Sequence, residues 1–241
     1  MELPSIDVVL LAGTAVVVGG IVQGSIGFGF ALVVVPAMTL VRPSAVPVTL
    51  LFLALPMALW MALRERGAID MAGFVEISVG RVLGTAGGVW ILATVTTDQL
   101  SVVIGTALVL AVILSFANPA FEAGRRSRFV AGALSGLMGT SAAIGGPPLA
   151  LAYQKRSGSE LRSTLAISFV AGAVISLGAL GAAGQIEGSH ALFALELAPW
   201  LALGLFGAVR LSRRLSGVWL RPLVLAFAGI SGVVTALRAL L

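Results

Sequence analysis

Long apolar runs, separated only by short polar or charged stretches, occupy almost the whole of this 241-residue chain. Only 10% of its residues are charged and 59% are hydrophobic, whereas soluble domains carry roughly 25% charged residues. So few charges cannot cover a water-exposed surface, but runs of about 20 apolar residues can cross a bilayer as helices. The pattern therefore predicts an all-α polytopic membrane protein with eight to ten transmembrane segments and no soluble domain.

Polar and charged residues divide the chain into apolar segments with short connections. We expect helices or helix pairs over residues 8–23, 26–41, 45–63, 71–93, 99–117, 129–152, 163–183, 190–209 and 218–240. The connections leave no room for a catalytic domain outside the membrane.

Several functions are excluded by the residue types that the chain lacks. There is no cysteine, which excludes disulfides and thiolate metal sites. The single histidine, His190, is expected in a solvated loop, so we expect no metal and no cofactor. An intramembrane hydrolase would need a nucleophile with a base, paired aspartates or a His–Glu metal motif. None of these is evident, and the sequence does not indicate an enzyme.

The basic residues predict which loops face the cytoplasm, because cytoplasmic loops carry the excess of Lys and Arg. Most of them cluster within residues 64–66, 125–128, 155–162 and 210–221. This distribution explains the net charge of +5 without nucleic-acid binding. The N-terminus and the loops at Asp98 and Glu187 carry no Lys or Arg, so we expect them outside. Arg42 and Arg238 depart from this pattern, and Arg81 lies inside a segment. No positive region precedes the first segment, which we expect to be retained rather than cleaved.

Two stretches that lie 112 residues apart share a pattern of glycine and proline. The first contains Gly20, Gly24, Gly27 and Pro36, and the second contains Gly132, Gly136, Gly139 and Pro148. Further matches follow at slightly larger offsets, among them Glu76 with Glu196. The pattern predicts a duplicated chain, with one repeat over residues 1–122 and the other over residues 123–241.

Each predicted repeat has a glycine-broken hairpin followed by three spans. The first repeat comprises the hairpin 8–41 and the spans 45–63, 71–93 and 99–117, and the second comprises the hairpin 129–152 and the spans 163–183, 190–209 and 218–240. The loop charges predict that the first hairpin begins and ends outside and the second inside, so the repeats would have inverted topology. Inverted repeats are an architecture of secondary transporters. Whether each hairpin is re-entrant or consists of two thin spans stays open.

The glycines predict where helices are interrupted inside the membrane. Glycine permits positive φ and the close approach of other chains or ligands, and an interrupted helix offers N–H groups at a positive dipole end. We therefore expect an anion to bind near the midplane between the two hairpins. The candidate binding residues are Gln23, Gly24, Ser25, Gly27, Gly29, Ser135, Gly136, Gly139, Thr140, Ser141, Gly145, Gly146 and Pro148. The alternative is close helix packing, with each hydroxyl bonded to a backbone carbonyl.

Glu76, Arg81 and Glu196 lie inside predicted spans and away from the span ends, where a charge is costly and usually faces a cavity or a partner. Arg81 lies nearest the middle of its span and is a candidate partner for an anionic substrate. Glu76 and Glu196, which the repeat relates, are candidates for proton coupling. The alternative is that the glutamates lie near the interfaces or pair with arginines to hold helices together.

The segments GGIVQGSIGFGFALVVVP and AGALSGLMGTSAAIGGPP resemble the TauE/SafE sulfite exporter family, also called the toluene-sulfonate uptake permease family. The resemblance extends over essentially the whole chain, and Gly136 through Pro148 is its more specific part. It implies a transporter of the bacterial or archaeal inner membrane for sulfur-containing or organic anions, such as sulfite and sulfonates, in either direction. The first copy has Val33-Val34 where the second has Gly145-Gly146, so the two hairpins need not contribute equally.

These patterns together predict a secondary transporter of small anions that works by alternating access, with proton coupling as a hypothesis. A passive anion channel and a non-transporting membrane assembly protein are the alternatives. The expected partners are the anion, the lipid bilayer and a proton, and a homo-oligomer is compatible with the sequence.

Overall fold

The computed structural model describes residues 5–65, 67–117, 123–211 and 217–238, and the chain is mostly helical over these ranges. Within these ranges there is no β-strand. The helices are α1 (Ile6–Ile26), α2 (Phe30–Val41), α3 (Val48–Arg64), α4 (Met71–Thr94), α5 (Thr97–Phe116), α6 (Arg125–Ala142), α7 (Gly146–Tyr153), α8 (Gly158–Ala182), α9 (Gly188–Leu211) and α10 (Gly217–Arg238). A single 3₁₀ turn, Pro43–Ala45, connects α2 to α3. The predicted all-α fold is confirmed.

Within the described ranges, five helices are long and apolar enough to cross a membrane, namely α1, α4, α5, α8 and α9. The helices α2 and α3 are shorter and also apolar. Large apolar side chains such as Trp90, Leu195 and Ile230 are exposed on the outside of the bundle. An exterior of this kind suits lipid rather than water, because soluble proteins rarely expose extensive apolar surface. The prediction of a polytopic membrane protein is confirmed.

The observed helices follow the predicted segments, and the main difference lies in the first hairpin. The sequence places its break at residues 24–25, but α1 continues to Ile26 and the break spans Gly27–Gly29. The helix ends there because Gly27 adopts a left-handed conformation and donates its N–H to the Gln23 carbonyl, a common helix C-cap. The second hairpin breaks at residues 143–145, between α6 and α7.

Helix packing in the first half of the chain recurs in the second half. If α1–α5 correspond to α6–α10, the packing of α4 on α6 corresponds to that of α9 on α1. The packing of α3 on α9 likewise corresponds to that of α8 on α4. Two helices pack directly on their own counterparts, α3 on α8 and α5 on α10. A two-fold relation between two five-helix units would produce this exchange. The repeat boundary at residue 122 and the opposite orientation of the repeats stay predictions.

Three polar contacts bring the basic loops together at one end of the bundle. Arg128 donates a short hydrogen bond to Glu76, and Arg162 donates to Glu65 at 3.3 Å. The hydroxyl of Tyr153 donates to Asp70 at 2.9 Å. These contacts agree with the grouping that the loop charges predict. The predicted cytoplasmic residues Arg66, Arg213 and Arg214, and the side chain of Arg221, lie outside the part of the chain that the structure describes.

Candidate functional site

The first helix break connects α1 to α2 through Gly27, Phe28 and Gly29. Gly27 and Gly29 have φ values of 98° and 117°, a region that residues with a Cβ rarely adopt, so the turn requires both glycines. The Gln23 side chain bridges this turn. Its Oε1 accepts the Phe30 N–H at 3.0 Å, and its Nε2 donates to the Gly27 carbonyl at 3.3 Å. Gln23, a predicted binding residue, therefore also caps α2.

The second helix break, between α6 and α7, has a different construction. Its left-handed residue is Ala143, with a φ of 60°, whereas Gly145 has an ordinary φ of −89°. The glycines of this segment therefore serve close approach rather than positive φ. Ser135 donates from Oγ to the Gly145 carbonyl at 2.6 Å, so it stabilises the second break as Gln23 stabilises the first.

The helices that follow the two breaks differ in the amide donors that they offer. The first N–H groups of a helix have no intrahelical partner, and in α2 those of Ala31 and Leu32 belong to residues that line a cavity. In α7, the second and third residues are Pro147 and Pro148, which have no N–H. The first break therefore presents more backbone donors to an anion than the second.

Arg81 on α4 is buried beside the second break, with 4% of its surface exposed. Its Nη1 donates to the Ser135 hydroxyl at 2.8 Å, while its Nε has no hydrogen-bond partner. Among the described residues, no carboxylate forms an ion pair with it. A buried charge without a partner of opposite sign is strongly unfavourable, so the site is suited to an anionic ligand.

Glycines provide the space that the Arg81 side chain occupies. A Cβ at Gly172 on α8 would overlap the guanidinium group, and a Cβ at Gly139 would lie 3.1 Å from Nη2. Gly139 is a predicted site residue, but no sequence motif marks Gly172. Gly172 therefore has to lack a side chain if Arg81 is to keep its place, whereas a Cβ at Gly139 would make a tight contact that needs a small shift.

A cavity of about 60 Å³ lies between the two breaks, with Arg81 in its wall. The predicted site residues that also line it are Gln23, Gly29, Gly139, Gly145 and Gly146. Apolar side chains that the sequence analysis did not identify complete the wall, among them Phe30, Leu51, Met57 and Phe169. One water needs roughly 10–15 Å³ of such space, so the cavity has room for a small polyatomic ion.

Other predicted site residues pack between helices instead. A Cβ at Gly24 would lie 2.6 Å from the Ala208 Cβ, and one at Gly136 would meet the backbone of α4. Ser141 donates to the Leu137 carbonyl at 2.7 Å, which is the backbone-bonding alternative of the sequence analysis. Pro148 lines a separate apolar groove on the outside of the bundle.

Three further predicted residues have other surroundings. The Thr140 hydroxyl lies 2.8 Å from that of Ser176 and donates to that of Thr85 at 3.2 Å, which forms a buried hydroxyl chain. The Oγ of Ser25 is buried without a hydrogen-bond partner. A Cβ at Gly27 would lie 3.1 Å from the Arg162 Cγ. None of the three predicted residues is part of the cavity wall.

The two glutamates proposed for proton coupling lie away from the cavity wall. Glu76 pairs with Arg128 and, at 4.0 Å, with Arg125, which fits the alternative in which it holds helices together. Glu196 on α9 is half-buried, and its Oε2 has no hydrogen-bond partner. Their role in coupling stays a prediction.

A buried arginine beside two interrupted helices, inside an all-α membrane bundle, is typical of a polytopic membrane transporter. A family model described as sulfite exporter TauE/SafE matches residues 11–235. The chain therefore belongs to the TauE/SafE sulfite exporter family, a family of membrane transporters, which confirms the resemblance found in the sequence. No curated protein and no solved structure matches the chain.

Proposed function

We propose that this protein is a secondary transporter of small oxoanions of the sulfite class, which bind to Arg81 between the two helix breaks. The observation that carries the proposal is the buried Arg81 guanidinium, which has no carboxylate partner among the described residues and lies in the wall of a cavity that both breaks share. A positive charge in a low-dielectric interior attracts an anion strongly and repels a cation.

The size of the cavity favours a compact anion over a bulky sulfonate. Its volume of about 60 Å³ is several times the roughly 10–15 Å³ that a single water needs. Sulfite consists of one sulfur and three oxygens, whereas toluenesulfonate adds an aromatic ring and would need a larger space. The apolar side chains around the cavity, such as Phe30 and Met57, lower the local dielectric and so strengthen the attraction between Arg81 and its ligand.

Alternating access is supported by the exchange of helix contacts between the two halves of the chain. In inverted-repeat transporters, one repeat or bundle rocks against the other around a fixed site near the midplane. Arg81 lies on α4 of the first half, and its partner Ser135 lies on α6 of the second. A bound anion that contacts Arg81 and the first break would therefore join the parts that have to move.

The charge of the loops supports an orientation with the N-terminus outside. The resemblance to the family implies a bacterial or archaeal inner membrane. Proton coupling through Glu196 is the second part of this proposal, because its Oε2 is buried and unpartnered, whereas Glu76 is engaged by Arg128. A proton on Glu196 would neutralise a charge that is costly inside the membrane.

Uptake of labelled sulfite into proteoliposomes tests the proposed function. We expect Arg81→Gln to abolish uptake and Arg81→Lys, which keeps the charge but loses the planar donors, to restore a part of it. Arg126→Gln is the matched control, because Arg126 is exposed at the end of the bundle and outside the cavity wall. Wild-type uptake by Arg81→Gln would refute the proposed site. Uptake that never exceeds equilibrium under any ion gradient would favour a passive channel.

A further inference from the structure

We propose a second anion-binding site around Arg42, at the end of the bundle opposite the basic loops. Its role in transport rests on the proposed function, but its ability to bind a small oxoanion does not. The site is a cavity of about 150 Å³ between the 3₁₀ turn Pro43–Ala45, the start of α3 and the loop before α9. Its polar wall includes Arg42, Ser44, Thr49 and His190.

Arg42 supplies the positive charge of this outer cavity. Its Nη1 is buried without a hydrogen-bond partner. Its Cζ lies 4.4 Å from the centroid of the Phe193 ring, and this cation–π contact holds the planar group in one orientation. A guanidinium that is fixed on an aromatic face and keeps free donors is suited to bind oxoanions through paired N–H groups.

Glu187 is the one carboxylate in the wall of the outer cavity. It forms no ion pair with Arg42 among the contacts of the described residues, and its Oε2 accepts a hydrogen bond from Ser189 at 3.1 Å. Arg42 therefore has no direct contact with this carboxylate. Glu187 still repels an anion through space, so it limits the affinity of the site.

His190 holds the walls of the outer cavity together rather than binding the anion. Its Nδ1 accepts the Glu187 N–H at 3.0 Å, so Nε2 carries the hydrogen and donates to the Ser44 carbonyl at 3.1 Å. Thr49 donates to the His190 carbonyl at 3.2 Å. His190 is partly exposed and uses both ring nitrogens. It lies in the first turn of α9, which corrects the expectation that it belongs to a loop.

The outer and central cavities lie at opposite ends of α2. Arg42 follows the last residue of α2, and Phe30, the first residue of α2, lines the cavity of Arg81. A helix of this length spans about 18 Å. The loops around residues 95 and 187 carry no Lys or Arg, and Arg42 is the basic residue in the described wall of the outer cavity. Its charge therefore attracts anions to this cavity locally.

Sulfite-dependent thermal stabilisation at constant ionic strength tests the site in the Arg81→Gln background, where the central site is removed. We expect sulfite still to stabilise the Arg81→Gln protein, but at higher sulfite concentration. Adding Arg42→Gln to this protein should lower the apparent sulfite affinity about tenfold or more. Arg42→Lys is expected to retain part of the affinity, and Glu187→Gln to increase it. Arg238→Gln is the control for general charge effects, because Arg238 is exposed and outside the cavity wall.

Sulfite transport separates the two sites. We expect Arg42→Gln alone to raise KM about tenfold and to leave the maximal rate unchanged. If Arg42→Gln alters neither the residual stabilisation nor KM while Arg81→Gln abolishes transport, the outer site is refuted and the proposed function stands. If Arg42-dependent binding persists but Arg81→Gln transports normally, the proposed function fails and the outer site stands.

Discussion

The Arg81 guanidinium donates to the Ser135 hydroxyl at 2.8 Å, which ties α4 to α6 inside the bundle. Ser135 donates in turn to the Gly145 carbonyl at 2.6 Å, so Arg81 is connected to the second break through one side chain. Gln23 forms its two hydrogen bonds within the first break. The cavity lies between these two arrangements, and an anion there can complete the connection from Arg81 to the first break.

Ser135→Ala tests the connection between Arg81 and the second break. The substitution leaves the Arg81 Nη1 and the Gly145 carbonyl without this partner, and an unsatisfied buried group costs about 1–3 kcal/mol. We expect lower thermal stability together with weaker sulfite binding. Ser141→Ala is the matched control, because its hydroxyl bonds only a carbonyl of its own helix. Equal effects of the two substitutions on sulfite affinity would contradict the assigned role.

Gly172→Ala tests whether the space around Arg81 matters for transport. The added Cβ would overlap the guanidinium, so we expect Arg81 to shift and sulfite uptake to fall strongly. Gly178→Ala on the same helix has no atom within 4 Å of the added Cβ, and should transport like the wild type. Uptake is compared at equal amounts of folded protein in the membrane. Normal uptake by Gly172→Ala would show that the position of Arg81 is not critical.

Glu76 and Glu196 are expected to respond differently to neutralisation. Glu76→Gln breaks the ion pair with Arg128, so we expect a lower melting temperature and intact dependence on the proton gradient. Glu196→Gln removes a carboxyl with a partnerless oxygen, so we expect uptake that no longer follows the proton gradient. Gradient-driven uptake measured in both variants and in the double mutant checks this. Wild-type coupling in the double mutant would exclude both residues.

The Asp70 carboxyl, which precedes α4 outside the span, predicts a specific pH dependence. Burial would raise its pKa, but hydrogen bonds from the Gly73 N–H and the Tyr153 hydroxyl, with the charges of Arg128 and Arg156, lower it below the ordinary 3.8. The folded state thus favours the ionised carboxyl of Asp70. The contribution of this carboxyl to stability is complete above about pH 4 and is lost as pH falls through the lower pKa of the folded state.

Thermal melts of wild type and Asp70→Asn against pH measure this contribution. We expect the stability difference between the two proteins to be constant from pH 5 to 8, within the plateau above about pH 4, and to shrink at lower pH. A difference that already changes near neutral pH would mean that another group titrates at this contact.

The sequence predicted the fold class and the family, because both depend on local patterns. Apolar runs define the helices, and the glycines predict that the first hairpin is interrupted, although the interruption lies at Gly27–Gly29 rather than at residues 24–25. Arg81 could be selected because a charge inside an apolar span is rare. The inverted repeat and the coupling glutamates stay predictions.

The detailed site could not be predicted, because it depends on which helices pack together. Gly172 resembles many other glycines in apolar runs, and only the approach of α4 to α8 gives it a role. Ala143 adopts a left-handed conformation although it is not a glycine, so its residue type does not mark it in the sequence. Gln23 lines the cavity, but its additional role as a cap of α2 depends on the shape of the break.

The position of a bound selenite ion, an analogue of sulfite with a strong anomalous signal, tests the central claim most directly. Crystals grown with selenite at concentrations that compete with sulfite transport should show a selenium peak within hydrogen-bond distance of the Arg81 guanidinium, between Gly29 and Gly145. The peak should disappear in Arg81→Gln. Selenium bound only elsewhere, with the space beside Arg81 holding no anion, would contradict the account.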